Sequence, residues 1–216
     1  MRNRRRTWLL IAGLLSASAL LVLAIRPDVA HRELGLVFLG LERHDRAITC
    51  FSRAIQLRPD DPQSHFGLGV CYGEVGRWEE AARSFRRCTE LSPEDAEAYY
   101  NLGLAYSELG RTASSIEAYT RAVTLDEAHC NAHFNLGCTY RELGEWDNAR
   151  DAFEKVAAID PRNVSARYNL AMVYARLGDR EAAERAYRFV AERDPEVAPL
   201  LRKRIDTPPG EPGDPP

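Results

Sequence analysis

Apolar and polar positions along this chain repeat every 34 residues, and inside each repeat the apolar ones fall three and four apart. Set on that period, the sequence divides into five units, 28–61, 62–95, 96–129, 130–163 and 164–197. The seventh place of the units holds Leu34, Leu68, Leu102, Leu136 and Leu170. The eighth holds Gly35, Gly69, Gly103, Gly137 and Ala171, and the eleventh Phe38, Tyr72, Tyr106, Tyr140 and Tyr174. Places seven and eleven are one helical turn apart, so leucine and aromatic share a face with a small residue beside them. Gly76, Gly110, Gly144 and Gly178 follow that pattern, where a left-handed helix cap suits glycine.

A second helix is predicted after each glycine. It carries Ala47, Ala81, Ser115, Ala149 and Ala183, and four residues later Phe51, Phe85, Tyr119, Phe153 and Tyr187. Three further on stand Ala54, Cys88, Ala122, Val156 and Val190, completing an i, i+4, i+7 stripe. Pro59, Pro93, Pro161 and Pro195, with Glu127 in the third unit, close the pattern. Small residues where two helices approach, aromatics beside them and a glycine between make a helical hairpin. One hairpin cannot bury both of its faces, so consecutive hairpins must stack.

These motifs resemble the tetratricopeptide repeat family, over residues 28–197. The resemblance implies an all-α protein, a right-handed α-solenoid of tetratricopeptide helical hairpins. The first unit departs most, with Glu42 at the turn glycine and Phe38 at the tyrosine; Ser115 and Glu127 depart in the third. After the fifth unit, "PEVAPLLRKRI" predicts a capping helix over 198–206, with Leu200, Leu201 and Ile205 covering the last hairpin. The remaining 207–216 form a Pro/Gly tail of disordered composition.

In the resembled family the first helices line a concave groove that holds a peptide segment. Transferred by place, the groove would be lined at place five by Phe66, Tyr100, Phe134 and Tyr168, and at place six by Asn101, Asn135 and Asn169. Aromatic rings give flat apolar contact area. An amide offers one donor and one acceptor side, as a peptide unit does. The three asparagines look like the backbone-holding ladder of some family members; the other reading is that they bond to a neighbouring helix. Glu74, Glu108 and Glu142 at place thirteen would repel a ligand carboxylate and favour a basic ligand stretch, or are solvated surface. They argue against the carboxylate clamp of other family members.

Ahead of the repeats, Trp8–Ile25 contains no charged residue, and Arg2, Arg4, Arg5 and Arg6 stand in the basic segment 1–7 before it. As a helix the run would measure about 27 Å, enough to span a bilayer core at the lower limit. A single-pass signal anchor over 8–25 is expected, with the N-terminus cytoplasmic and the repeats on the far side, periplasmic or exterior in a bacterium. The rivals are a cleaved signal peptide, with Ala17–Ala19 as the small-residue site, and a buried core helix. Cleavage there would leave "LLVLAI" leading the mature chain.

Charge refines the picture. The formal net charge is −3, but the first 27 residues hold five arginines and no acid. Taking those five from 29 basic residues leaves 24 against 32 acids, a net of −8 for the body. An acidic body argues against nucleic acid as a partner. Cys50, Cys71, Cys88, Cys130 and Cys138 form no CxxC pair and fall mostly at small apolar places. His129 and His133, one turn apart, could reach a metal ion, but His133 shares place four with His31 and His65 and so answers to the repeat. No metal and no cofactor is expected. Neither GxSxG nor HExxH occurs, so no enzyme is expected. The expected function is a membrane-anchored scaffold holding a protein or peptide partner. The alternatives are a structural subunit acting through its convex face or an end, with self-association possible, and a non-catalytic partner of a separate envelope enzyme.

Overall fold

The computed structural model describes residues 26–207. The basic segment, the apolar run 8–25 and the tail beyond Thr207 lie outside the described residues, and so do the expectations placed on them. Eleven α-helices and no strand occur among the described residues. They belong to two compact units divided between Glu94 and Asp95. The first unit holds α1 (Pro27–Gly40), α2 (His44–Leu57), α3 (Pro62–Glu74) and α4 (Trp78–Leu91). The second holds α5 (Ala96–Glu108), α6 (Thr112–Leu125), α7 (Cys130–Glu142), α8 (Trp146–Ile159), α9 (Val164–Leu177), α10 (Arg180–Arg193) and α11 (Ala198–Asp206). No helix among the described residues is long and apolar enough to cross a membrane.

Local chemistry sets the helix ends. Asp61, Asp95 and Asn163 precede α3, α5 and α9 and accept from the backbone N–H of Ser64, Ala98 and Ala166. Each satisfies one of the donors that a helix start leaves open. At the other ends, Gly76, Gly110, Gly144 and Gly178 turn the chain at φ between 67° and 80°, the left-handed conformation expected of them. Glu42 takes the same conformation, φ 57°, in the first hairpin. The turn geometry is therefore kept where the glycine is not, at a conformational cost to a side-chain-bearing residue.

Packing follows the second-helix stripe. Phe51, Phe85, Tyr119 and Phe153 are buried, with Ala47, Ala81, Ser115 and Ala149 above them. Each ring lies on the first helix of its own hairpin where that helix has no side chain. A Cβ on Gly137 would stand 2.8 Å from the Phe153 ring, and one on Gly103 2.6 Å from Tyr119. In the last hairpin Ala171 replaces the glycine and Tyr187 is only half-buried.

Within the second unit, α6 packs on α7 and α8 on α9, burying Leu136 and Leu170. Helix α11 packs on α9 and α10 and sets Leu201, with no exposed surface, into their core beside Leu170 and Val190. Its Arg202 donates to Glu184 at 2.8 Å and lies 3.8 Å above the Tyr187 ring. Helix α1, in the first unit, has no described helix ahead of it.

Candidate functional site

In the second unit the place-five aromatics are half-buried, and Tyr100 and Phe134 each pack on a buried ring, Phe134 edge-on. Tyr100 lies 6.0 Å from Tyr119, and Phe134 lies 5.6 Å from Phe153 at an interplanar angle of 69°. Tyr168 is half-buried and packs against the core formed by α8, α9 and α11. Each ring therefore gives one side to its hairpin and keeps another exposed. The edge-on packing of Phe134 against Phe153 restricts its rotamers, which would lower the entropy cost of any contact it makes.

The three asparagines are not equivalent. Asn101 is half-buried, and its amide nitrogen donates to the Glu97 carbonyl at 2.8 Å and the Glu97 carboxylate at 2.9 Å. Both of its donors are thus occupied, and its carbonyl oxygen is what it can offer. Asn135 lies beside the hydroxyls of Tyr119, at 3.5 Å, and Tyr100. Asn169 is buried: its nitrogen donates to the Ser165 carbonyl at 2.9 Å, and its oxygen accepts from Arg141 at 2.6 Å. The equal ladder expected from the sequence is therefore broken at its last member, because Arg141 on α7 and the backbone of α9 use both sides of the amide.

Around these residues, Glu97 links α5 to the start of α7. Its Oε2 lies 3.3 Å from His129 Nε2, and the His129 ring stacks 4.8 Å from Tyr100. Burial, reinforced by Glu97, raises the Tyr100 pKa, so this hydroxyl is a neutral donor and acceptor at physiological pH. Glu108 and Glu142 stand exposed at the ends of α5 and α7. The first unit, taken by itself, repeats the arrangement once: Phe66 is half-buried 5.6 Å from Phe85, and Glu74 is exposed. A cleft of about 430 Å³ between α5 and α6 is lined by Tyr99, Leu102 and Tyr106. At 100° per residue these lie on the side of α5 away from Tyr100 and Asn101.

The histidines have structural work. His133 Nε2 lies 3.1 Å from the carbonyl of Glu127, and His65 Nε2 lies 2.9 Å from that of Pro59, the same place-four to place-thirty-two contact in each unit. Burial lowers the His133 pKa. His129 Nδ1 accepts the Ala132 N–H at 3.2 Å, so it caps α7 where α3, α5 and α9 have Asp or Asn. Helix-start residues just ahead of an apolar run signal such caps, and reading place thirty-four that way would have found Asp61, Asp95 and Asn163. Cys71 and Cys138 fill apolar slots, and burial raises their thiol pKa values, Cys71 to about 11.

Comparisons place this geometry among known proteins. MamA, in a crystal structure, matches with a TM-score of 0.73 at 26% identity, over 80% of this chain and 94% of that one. YrrB, described as a TPR protein with an unusual peptide-binding site, matches with a TM-score of 0.75 at 22% identity, over 84% and 96%. PilF of Pseudomonas aeruginosa matches with a TM-score of 0.69 at 20% identity, over 82% of each chain. This chain shares their all-α solenoid fold class. No curated protein matches it. Family models described as tetratricopeptide repeat match residues 34–99, 72–129 and 164–197, and one described as TPR repeat matches 137–178. With the hairpins, the turn glycines and the buried aromatic stripe already in view, these matches establish that residues 34–129 and 137–197 carry tetratricopeptide repeats.

Proposed function

We propose that this protein is a membrane-anchored interaction scaffold that holds a peptide segment of another protein on the first helices of its hairpins. The observation that carries the reading is the row Tyr100, Phe134 and Tyr168 in the second unit. All three are half-exposed, and Tyr100 and Phe134 are braced by a buried ring. Asn101 and Asn135 supply polar contacts to peptide backbone beside them, while Asn169 orients Arg141. Glu108 and Glu142 at the rim favour basic residues in the ligand. The first unit offers Phe66 and Glu74 in the same roles. The fold shared with YrrB, a peptide-binding TPR protein, supports this reading. Anchoring is proposed from the charge-free run Trp8–Ile25 and the arginines ahead of it, with the N-terminus cytoplasmic and the repeats on the far side. The scaffold carries out no reaction of its own and needs no cofactor.

The test is affinity capture from native membranes with the full chain and with Asn101→Ala/Asn135→Ala, leaving the buried Asn169 untouched. A partner lost from a variant that keeps its helical circular dichroism supports recognition on this face. A partner retained at wild-type level overturns it and moves recognition to the other helix faces.

A further inference from the structure

Nine large apolar side chains stand exposed among the described residues; three of them, Leu34, Leu36 and Val37, are on α1, and a fourth, Leu41, is its C-cap. At 100° per residue, Ala30, Leu34, Val37 and Leu41 fall within about 60° of one another, a continuous apolar stripe. It points away from place five of the same helix, where Arg32 pairs with Glu33 at 2.9 Å. Within the second unit the place-seven leucines Leu136 and Leu170 are buried where the second helix of the hairpin before packs on theirs; on α1 nothing described covers Leu34.

The chain ahead of α1 says what does. The apolar run ends at Ile25, and only Arg26 separates it from Pro27, the first residue of α1. Arg26 has φ −126° and ψ 75°, outside the helical region, so α1 is not a straight continuation of whatever precedes it. A repeat-like helix folded back from 8–25 would need a polar turn before α1, as "RPDD" and "DPRN" provide before α3 and α9. The corresponding residues here are "LAIR", apolar up to the arginine. Such a helix would also leave its own outer face without a charged residue, whereas α4 and α10 carry charged ones. Lipid satisfies both surfaces.

We infer that α1 lies in the plane of the membrane interface, with Ala30, Leu34, Val37 and Leu41 turned into the headgroup and acyl boundary. This inference rests on the proposed anchoring by Trp8–Ile25. A helix joined to a spanning segment through one non-helical residue cannot leave the interface, and one carrying an apolar stripe gains by lying down on it. The face with Arg32 stays in water, so the membrane orients the first hairpin without covering the place-five side.

Brominated-lipid quenching of the full chain in phosphatidylcholine–phosphatidylglycerol vesicles tests this. In a Trp8→Phe/Trp78→Phe/Trp146→Phe background, Val37→Trp is compared with Arg53→Trp on the exposed side of α2, and flotation of the vesicles is followed in parallel. The expected result is co-flotation of both variants and about twofold quenching of the indole at 37 alone, matching the roughly 5–10 Å depth of interfacial helices. Co-flotation without quenching at 37 overturns the inference and leaves the anchor standing. A blue-shifted, unquenched indole would then identify the cover as residues 8–25 folded back or a second copy of the chain. Loss of flotation overturns the anchor and the inference together.

Discussion

Leu34 and Leu170 occupy the same place in the repeat, yet Leu34 is 44% exposed and Leu170 1%. The difference lies in what surrounds them. Leu170 sits on α9, with α8 packed on one side and α11 on another, and shares a core with Leu201 and Val190. Leu34 sits on α1, which meets only α2 and α3 among the described helices. One and the same sequence motif is therefore core in one hairpin and surface in another. In a repeat protein the stability a residue contributes belongs to its neighbours as much as to its own type.

Cutting each leucine back gives the largest expected effect. Leu170→Ala should cost about 2–5 kcal/mol, the transfer loss plus a cavity. Leu34→Ala should cost less than about 1 kcal/mol, since nearly half of the side chain is already in water. Denaturant unfolding followed at Trp146, which packs on the Leu170 core, reads the first; circular dichroism reads the second. The comparison breaks if Leu34→Ala matches Leu170→Ala in the detergent-solubilised full chain, for α1 would then be covered by protein.

Two glycines sharpen the contrast from the backbone side. A Cβ on Gly137 would meet the Phe153 ring at 2.8 Å, and that ring is fully buried. Gly137→Ala should destabilise by about 1–3 kcal/mol through overpacking. Gly40, at the end of α1, has nothing within 4 Å of the same position. Gly40→Ala should stabilise by up to about 1 kcal/mol, because alanine loses less backbone freedom in a helix. Melting temperatures moving in opposite directions would confirm that one end is tight and the other open.

How far the sequence foretold this depends on where each residue finds its partner. Glycine and aromatic at places eight and twenty-four were legible because they are each other's partners within the same hairpin, at fixed spacing. The turn glycines were legible from their backbone conformation, and Glu42 shows that the turn persists without one. The exposure of Leu34 was not legible from its motif, because the motif does not say what precedes it. The fate of Asn169 was hidden too: its partner Arg141 lies on another helix, 28 residues back, and no spacing rule connects them. The histidine contacts at place four reach back across the inter-hairpin turn, so only the folded turn reveals them.

A smaller effect belongs to the covered end. Arg202 bonds Glu184 at 2.8 Å and lies over Tyr187, and the paired carboxylate and guanidinium are each more than a third exposed. Screening reduces the ion pair, so Arg202→Ala should cost about 0.5–1 kcal/mol, mostly from the ring contact and the buried stem. A cost that disappears in molar salt would show that the pair, not the ring, holds α11 down.

The smallest expected effect is a slope with pH. His133 is buried on α7, and burial lowers its pKa; Lys155 and His129 act in the same sense, while the Glu127 carbonyl and Asp126 oppose them. The unfolded chain, with histidine near its ordinary value of about 6.5, therefore binds a proton under conditions where the folded chain does not. Proton uptake on unfolding makes stability rise with pH, so the His133 contribution is fully present above about pH 6.5 and is lost as pH falls below it. His133→Gln keeps an N–H donor for the Glu127 carbonyl and removes the titration. Its unfolding free energy should lose less than the wild type's between about pH 7 and pH 5. If the two slopes coincide, His133 is already solvated in the native state and the hairpin of α7 and α8 opens locally around it. That result would extend the looseness of the α1 end into a part of the repeat array where the packing places a core.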